Sequence, residues 1–121
     1  MSTADDTLMS PLQSALWIFL CEHFMGKENA TPRRAIFARF RLLNPRWETA
    51  TDRKLRETKS ELVKIFKKAI CSSPSRGYYV ARTMAEKSEA LNYLDSVLTE
   101  VGTLRRDLAE ADPLERQERL L

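Results

Sequence analysis

Residues 72–82, SSPSRGYYVAR, decide how this chain reads. Pro74, Ser75, Arg76 and Gly77 form a polar centre between two short apolar runs, Ala69-Ile70-Cys71 and Tyr78-Tyr79-Val80. Turn formers between β-favouring residues predict a hairpin, with Gly77 free to take a positive φ where the second strand begins. Adjacent strand residues face opposite sides, so one of Tyr78 and Tyr79 belongs to the core. Tyr79 is expected on the outer side.

Just upstream, Leu55, Leu62, Val63 and Phe66 mark the inner face of a helix that Thr49 is expected to cap, with Asp52 at its third position. At about 100° per residue, Arg53, Arg56, Ser60, Lys64 and Lys67 fall within roughly 80° of one another on the opposite face. Glu57 lies among them and dilutes the charge. Before this helix, Thr31-Pro32 predicts the start of another, carrying Ile36, Phe37, Phe40 and Leu43 inward and Arg33, Arg34, Arg39 and Arg41 outward, ended by Asn44-Pro45. A first helix opens at Ser10-Pro11-Leu12-Gln13, where Ser10 and Gln13 can cap reciprocally. Leu12, Leu16, Phe19, Leu20 and His23 share its buried face, and Gly26 stops it. Trp17, Ile18 and Phe24 make it apolar nearly all round and predict a central position.

Downstream, Thr83-Met84-Ala85-Glu86 predicts a capping box and a helix running to about Ala111, roughly 40 Å long. A short terminal helix restarts at Asp112-Pro113. Leu91, Leu94, Leu98, Val101, Leu104 and Leu108 form a long apolar stripe, widened by Val97. An exposed seam of that size marks an interface. It predicts a homodimer paired through a coiled coil, parallel or antiparallel; folding back onto the chain's own domain is the alternative. Gly102 within the helix predicts a kink or a close helix approach.

The length, 121 residues, suits one folded unit with an appendage, and the 43% hydrophobic content suits a globular chain. The expected division is a flexible stretch 1–10, a domain over 11–82 and a dimerisation segment over 83–121. The net charge of +3 hides an uneven distribution: −3 over residues 1–30, +10 over 31–82 and −4 over 83–121. A basic block between acidic ends predicts an anion-binding module joined to a protein-contacting segment. Solvated surface charge, with Arg53 and Arg56 paired to Glu57 or Glu61, is the plain alternative.

Other classes are disfavoured. The run Ala15–Cys21 is about a third of a membrane span, and Asp5 and Asp6 stand where a signal peptide carries positive charge, so the expectation is a cytoplasmic protein without a membrane partner. His23 is the only histidine and reads as a partly buried residue; Cys21 and Cys71 read as core thiols. With no metal-ligand spacing, phosphate loop or nucleophile motif, no metal site, no cofactor and no catalytic residue is expected.

The order helix, helix, helix, hairpin, long helix is that of a winged helix-turn-helix: mainly α with a small β-hairpin. Residues 51–82 also resemble a DNA-binding module common in phage and prophage proteins, through Asp52, Arg53 and Arg56 on the third helix and Ser72, Ser73, Gly77 and Tyr78 in the hairpin. The connection between the second and third helices is longer than in a tight helix-turn-helix, and Pro74 with Ser75 lengthens the wing. The resemblance implies a sequence-selective regulator of transcription or replication that binds double-stranded DNA.

In that reading the third helix enters the major groove with Arg53, Lys54, Arg56, Ser60 and Lys64. Lys64 and Lys67 meet phosphates, Arg76 reaches DNA from the wing tip, and Arg33 and Arg34 hold a phosphate at the start of the second helix. Winged helices also dock proteins, so the rival expectation is a host-protein partner, such as a defence nuclease that the chain inhibits.

Overall fold

The computed structural model describes residues 8–114, so most of the stretch expected to be flexible and most of the expected terminal helix lie outside the described residues. The described chain is mainly helical, with one small two-stranded antiparallel sheet and a long C-terminal helix. It divides into two units after Ala90.

The first unit begins with α1 (Pro11–His23). Its cap is local chemistry: Ser10 Oγ accepts the Gln13 N–H at 3.1 Å, and the Gln13 side chain accepts the Ser10 N–H at 2.8 Å. Such a cap is worth about 1 kcal/mol. Leu12, Leu16, Phe19 and Leu20 are buried as their spacing predicts, whereas Ile18 is exposed, so the helix is central on one side only.

The segment after α1 crosses the edge of the hairpin. Phe24 O accepts the Val80 N–H and Val80 O accepts the Gly26 N–H, both at 2.8 Å. Thr31 and Tyr78 then exchange backbone hydrogen bonds at 2.9 and 3.0 Å. This corrects the expected cap: Thr31 is committed to the sheet, its hydroxyl donates to Asn29 O, and α2 (Arg33–Leu43) starts from Pro32 with no side-chain cap.

A 3₁₀ turn, Pro45–Trp47, links α2 to α3 (Asp52–Lys64). The cap of α3 is Thr51, whose hydroxyl accepts the Lys54 N–H, and not Thr49. Arg41 sets this boundary by donating to both Ala50 O (3.3 Å) and Asp52 Oδ1 (2.7 Å), which holds the linker against α2. On the inner face Leu55, Thr58 and Leu62 are buried; Val63 is exposed, contrary to expectation. At about 100° per residue Val63 lies roughly 100° from Leu62 and only about 20° from Arg56. Thr58 fits the core because its hydroxyl returns a hydrogen bond to Lys54 O at 2.8 Å.

The helix closes with Lys68 N–H donating to Leu62 O and with Lys67 at φ 56°, a left-handed C-terminal cap built on lysine. The hairpin pairs β1 (Ile70–Ser73) with β2 (Gly77–Val80), Ser73 opposite Gly77, around a tip of Pro74, Ser75 and Arg76. Both faces are covered. Val80 and Tyr78 pack on the main core of α1, α2 and α3, while Tyr79, 2% exposed, packs with Cys71 and Ala90 beneath the start of α4 (Met84–Glu110). Tyr79 is therefore core, not outer.

Thr83 caps α4 as predicted, accepting the Glu86 N–H at 3.2 Å. The Glu86 carboxylate reaches further than a capping box requires, accepting the N–H groups of Arg82 (2.6 Å) and Lys27 (2.8 Å). The second unit, from Leu91, is the remainder of α4. Leu91, Leu94, Leu98, Val101, Leu104 and Leu108 of the predicted stripe are each at least half exposed there, Val97 less so, and Gly102 sits in open space, so no close helix approach explains it among the described residues.

Candidate nucleic-acid interface

The basic middle of the chain sorts into two groups. One group has structural duties. Arg41 bonds Asp52, Arg82 bonds Glu28 at 2.8 Å, and Lys27 pairs with Glu89. Arg46 and Lys68 lie over the rings of Trp47 and Trp17, and Arg39 approaches His23 Nδ1 at 3.4 Å. His23 is indeed a half-buried residue against Phe19, 4.8 Å between ring centres. Cys21 and Cys71 are free thiols, and burial raises the pKa of each; Cys71 lies in the core as expected, whereas Cys21 is only half-buried.

The other group surrounds α3. Arg53, Arg56 and Lys64 are exposed on one face, with Ser60 half-buried between them and Val63 alongside. Arg53 donates to Glu57 at 3.2 Å, a surface pair worth a few tenths of a kcal/mol. Arg56 and Lys64 have no ion pair among the described residues. Glu61 does not join this face: it accepts a hydrogen bond from the Gln13 side chain on α1 at 3.2 Å. Two expected members also sit apart. Lys54 is exposed about 100° round the helix from Arg53. Lys67 lies beyond the helix end, aimed by its left-handed backbone rather than by the helical face.

On the flank of α3 towards α2, Lys59 was not anticipated. Its ammonium lies 4.1 Å from the centre of the Tyr78 ring, and burial pushes its pKa below the usual lysine range, with the charge of Arg33 adding to the effect. Arg33 is half-buried at the start of α2, and its Nε is out of water without a hydrogen-bond partner. Arg34 beside it is exposed. Arg33 and Arg34 also help Arg41 to hold Asp52 below the ordinary carboxylate range, the Arg41 hydrogen bond acting most strongly. A signal for Lys59 existed in the sequence, since it falls about 60° from Arg56 on the side of Asp52. What the sequence lacked was the position of Tyr78.

At the hairpin tip Arg76 is exposed, with Pro74 and Ser75. Arg34, Arg56, Lys64 and Arg76, which have no ion pair among the described residues, are thus exposed on the start of α2, on α3 and at the hairpin tip. The arginines there present forks that suit planar acceptors, and the lysines present point charges. Among the described residues no helix is long and apolar enough to cross a membrane. Comparison with protein-family models, curated proteins and solved structures finds no match.

Proposed function

We propose that this chain binds double-stranded DNA as a sequence-selective regulator, with α3 as the helix that enters the major groove and the hairpin as a wing on the adjacent backbone. One observation carries the reading: Arg33 and Lys59 are both partly out of water, the charge of Arg33 acts on Lys59, Arg33 Nε has no hydrogen-bond partner, and the carboxylate that Arg33 also acts on, Asp52, is bonded to Arg41. Holding two like charges there costs free energy that a phosphate would recover. Arg34, Arg56, Lys64 and Arg76 extend the same field. The strand-like pairing of Thr31 with Tyr78 supports the winged helix-turn-helix form, because it binds the segment before α2 to the hairpin. In this reading Arg56 takes a base edge and the lysines take phosphates.

The test is a salt series on a random-sequence duplex. If Arg33, Arg34, Lys59, Lys64 and Arg76 each neutralise one phosphate, the affinity falls by about 4.5 log units per log unit of salt. An affinity that stays flat between low and moderate salt refutes the proposal.

A second reading, docking to a protein, is favoured by the cleft between α1 and α2 lined by Ala15, Ile18, Phe19, Glu22, His23, Leu43 and Asn44, where Ile18 and Leu43 are half exposed. Recovery of a partner that survives nuclease digestion would favour it. The withdrawal of Glu61 from the arginine face counts against it.

A further inference from the structure

From Leu91 onward α4 carries its large apolar side chains in water: Leu94 is 50% exposed, Val101 56%, Leu104 66% and Leu108 71%. Leu94, Val101 and Leu108 recur every seven residues, and Val97 and Leu104 fill the intervening steps of three and four. A sustained seven-residue repeat keeps one seam facing a partner only when two helices wrap round each other. The edges of that seam differ in charge. Glu100 and Asp107 lie on one edge, Arg105 and Leu98 on the other. Neither Glu100 nor Arg105 has an ion pair among the described residues.

We propose that this helix pairs with that of a second copy of the chain in a parallel, in-register coiled coil, fixed in orientation by Glu100 of each copy and Arg105 of the other. In a parallel pair, the edge of one helix meets the opposite edge of its neighbour five residues further on. Glu100 therefore faces Arg105 of the second copy, and two-fold symmetry makes the pair twice. In an antiparallel pair each edge meets its own kind, which sets Glu100 and Asp107 against the acidic edge of the second copy. Like charges across a seam are repulsive, so the charge pattern selects the parallel form. Tyr93, on the acidic edge, meets Leu98 of the second copy in the same arrangement and extends the apolar seam. Parallel pairing brings both Leu91 residues to the same end, as a DNA-binding dimer with closely spaced half-sites requires. This deepens the dimeric part of the function proposed above and rests on it.

Sedimentation equilibrium of the full chain tests both levels. Glu100→Arg alone or Arg105→Glu alone turns two attractions into two repulsions and weakens the dimer by about tenfold. The double change Glu100→Arg with Arg105→Glu recreates both pairs and returns the dissociation constant to within about twofold of the parent. Both side chains are exposed and lie outside the first unit, so its fold is not at stake. A dimer whose double variant is no tighter than the weaker single variant overturns the parallel arrangement alone. A chain that stays monomeric to about 100 μM overturns the pairing itself, while salt-dependent DNA binding would still stand or fall on its own measurement.

Discussion

Replacing Gly77 by Ala tests the contact that holds the hairpin to the rest of the first unit. Gly77 has φ 111°, and a Cβ there would lie 2.2 Å from Thr31 O, 2.3 Å from Thr31 C and 2.6 Å from Pro32 N. None of these atoms belongs to a flexible side chain. Ordinary carbon contacts are about 3.5 Å or more, so the two backbones must separate by about 1 Å. That displacement carries the paired bonds between Thr31 and Tyr78, now 2.9 and 3.0 Å, out of range. Two hydrogen bonds lost at about 1 kcal/mol each, with about 1–3 kcal/mol for an L side chain at this φ, give about 3–5 kcal/mol. A domain of this size has only about 5–10 kcal/mol in total. Urea unfolding followed by tryptophan fluorescence, with Trp17 and Trp47 both half-buried in the unit, reads the loss directly. With a slope of about 1.5 kcal/mol/M the midpoint falls by about 2–3 M. Gly102→Ala is the matched control: its Cβ meets nothing within 4 Å, and it should stabilise the helix by about 1 kcal/mol. A Gly77→Ala protein within about 1 kcal/mol of the parent would refute the reasoning.

Three further outcomes are expected. The Glu86 carboxyl is held below its ordinary range by the N–H groups of Lys27 and then Arg82, so it contributes stability above about pH 4.3 that is lost as pH falls through its lowered folded value. Urea midpoints from pH 7 to pH 3 should therefore drop less steeply in Glu86→Gln than in the parent, and parallel profiles would contradict this. Lys67→Gly relieves a left-handed lysine worth about 1–2 kcal/mol against a glycine entropy cost of about 0.5–1 kcal/mol, for a net gain of about 0.5–1 kcal/mol in thermal unfolding; a loss would contradict the cap. Glu57→Ala frees Arg53 and removes a negative charge from the α3 face, so duplex affinity should rise several-fold by mobility shift, on the order of 1 kcal/mol; a fall would favour a protein partner.

What could be read from the residues alone was what neighbours in the chain decide. Ser10, Pro11 and Gln13 specify a helix start because every atom of the capping box lies within four residues. Thr83 and Glu86 do the same for α4, and the spacing of Leu12, Leu16, Phe19 and Leu20 marks a buried stripe because helical geometry is local. The hairpin was legible for the same reason, since Pro74 to Gly77 can only turn. The cationic face of α3 was legible as a face, because its angular spread follows from the helix period alone.

Only tertiary contacts settled the rest. Thr31 had every local mark of a cap, yet Tyr78, far along the chain, recruits its backbone into the sheet. Thr49 was the cap expected for α3, yet with Arg41 bonded to Ala50 and Asp52 the cap is Thr51. Tyr78 and Tyr79 are interchangeable by strand alternation until Ala90 covers one face of the hairpin and the core covers the other. Lys59 became a member of the basic group through the Tyr78 ring and the charge of Arg33. Periodicity and caps are set by forces acting within a turn of the chain, and so are written in order along it. Which of two equivalent residues is used depends on groups brought together only by folding.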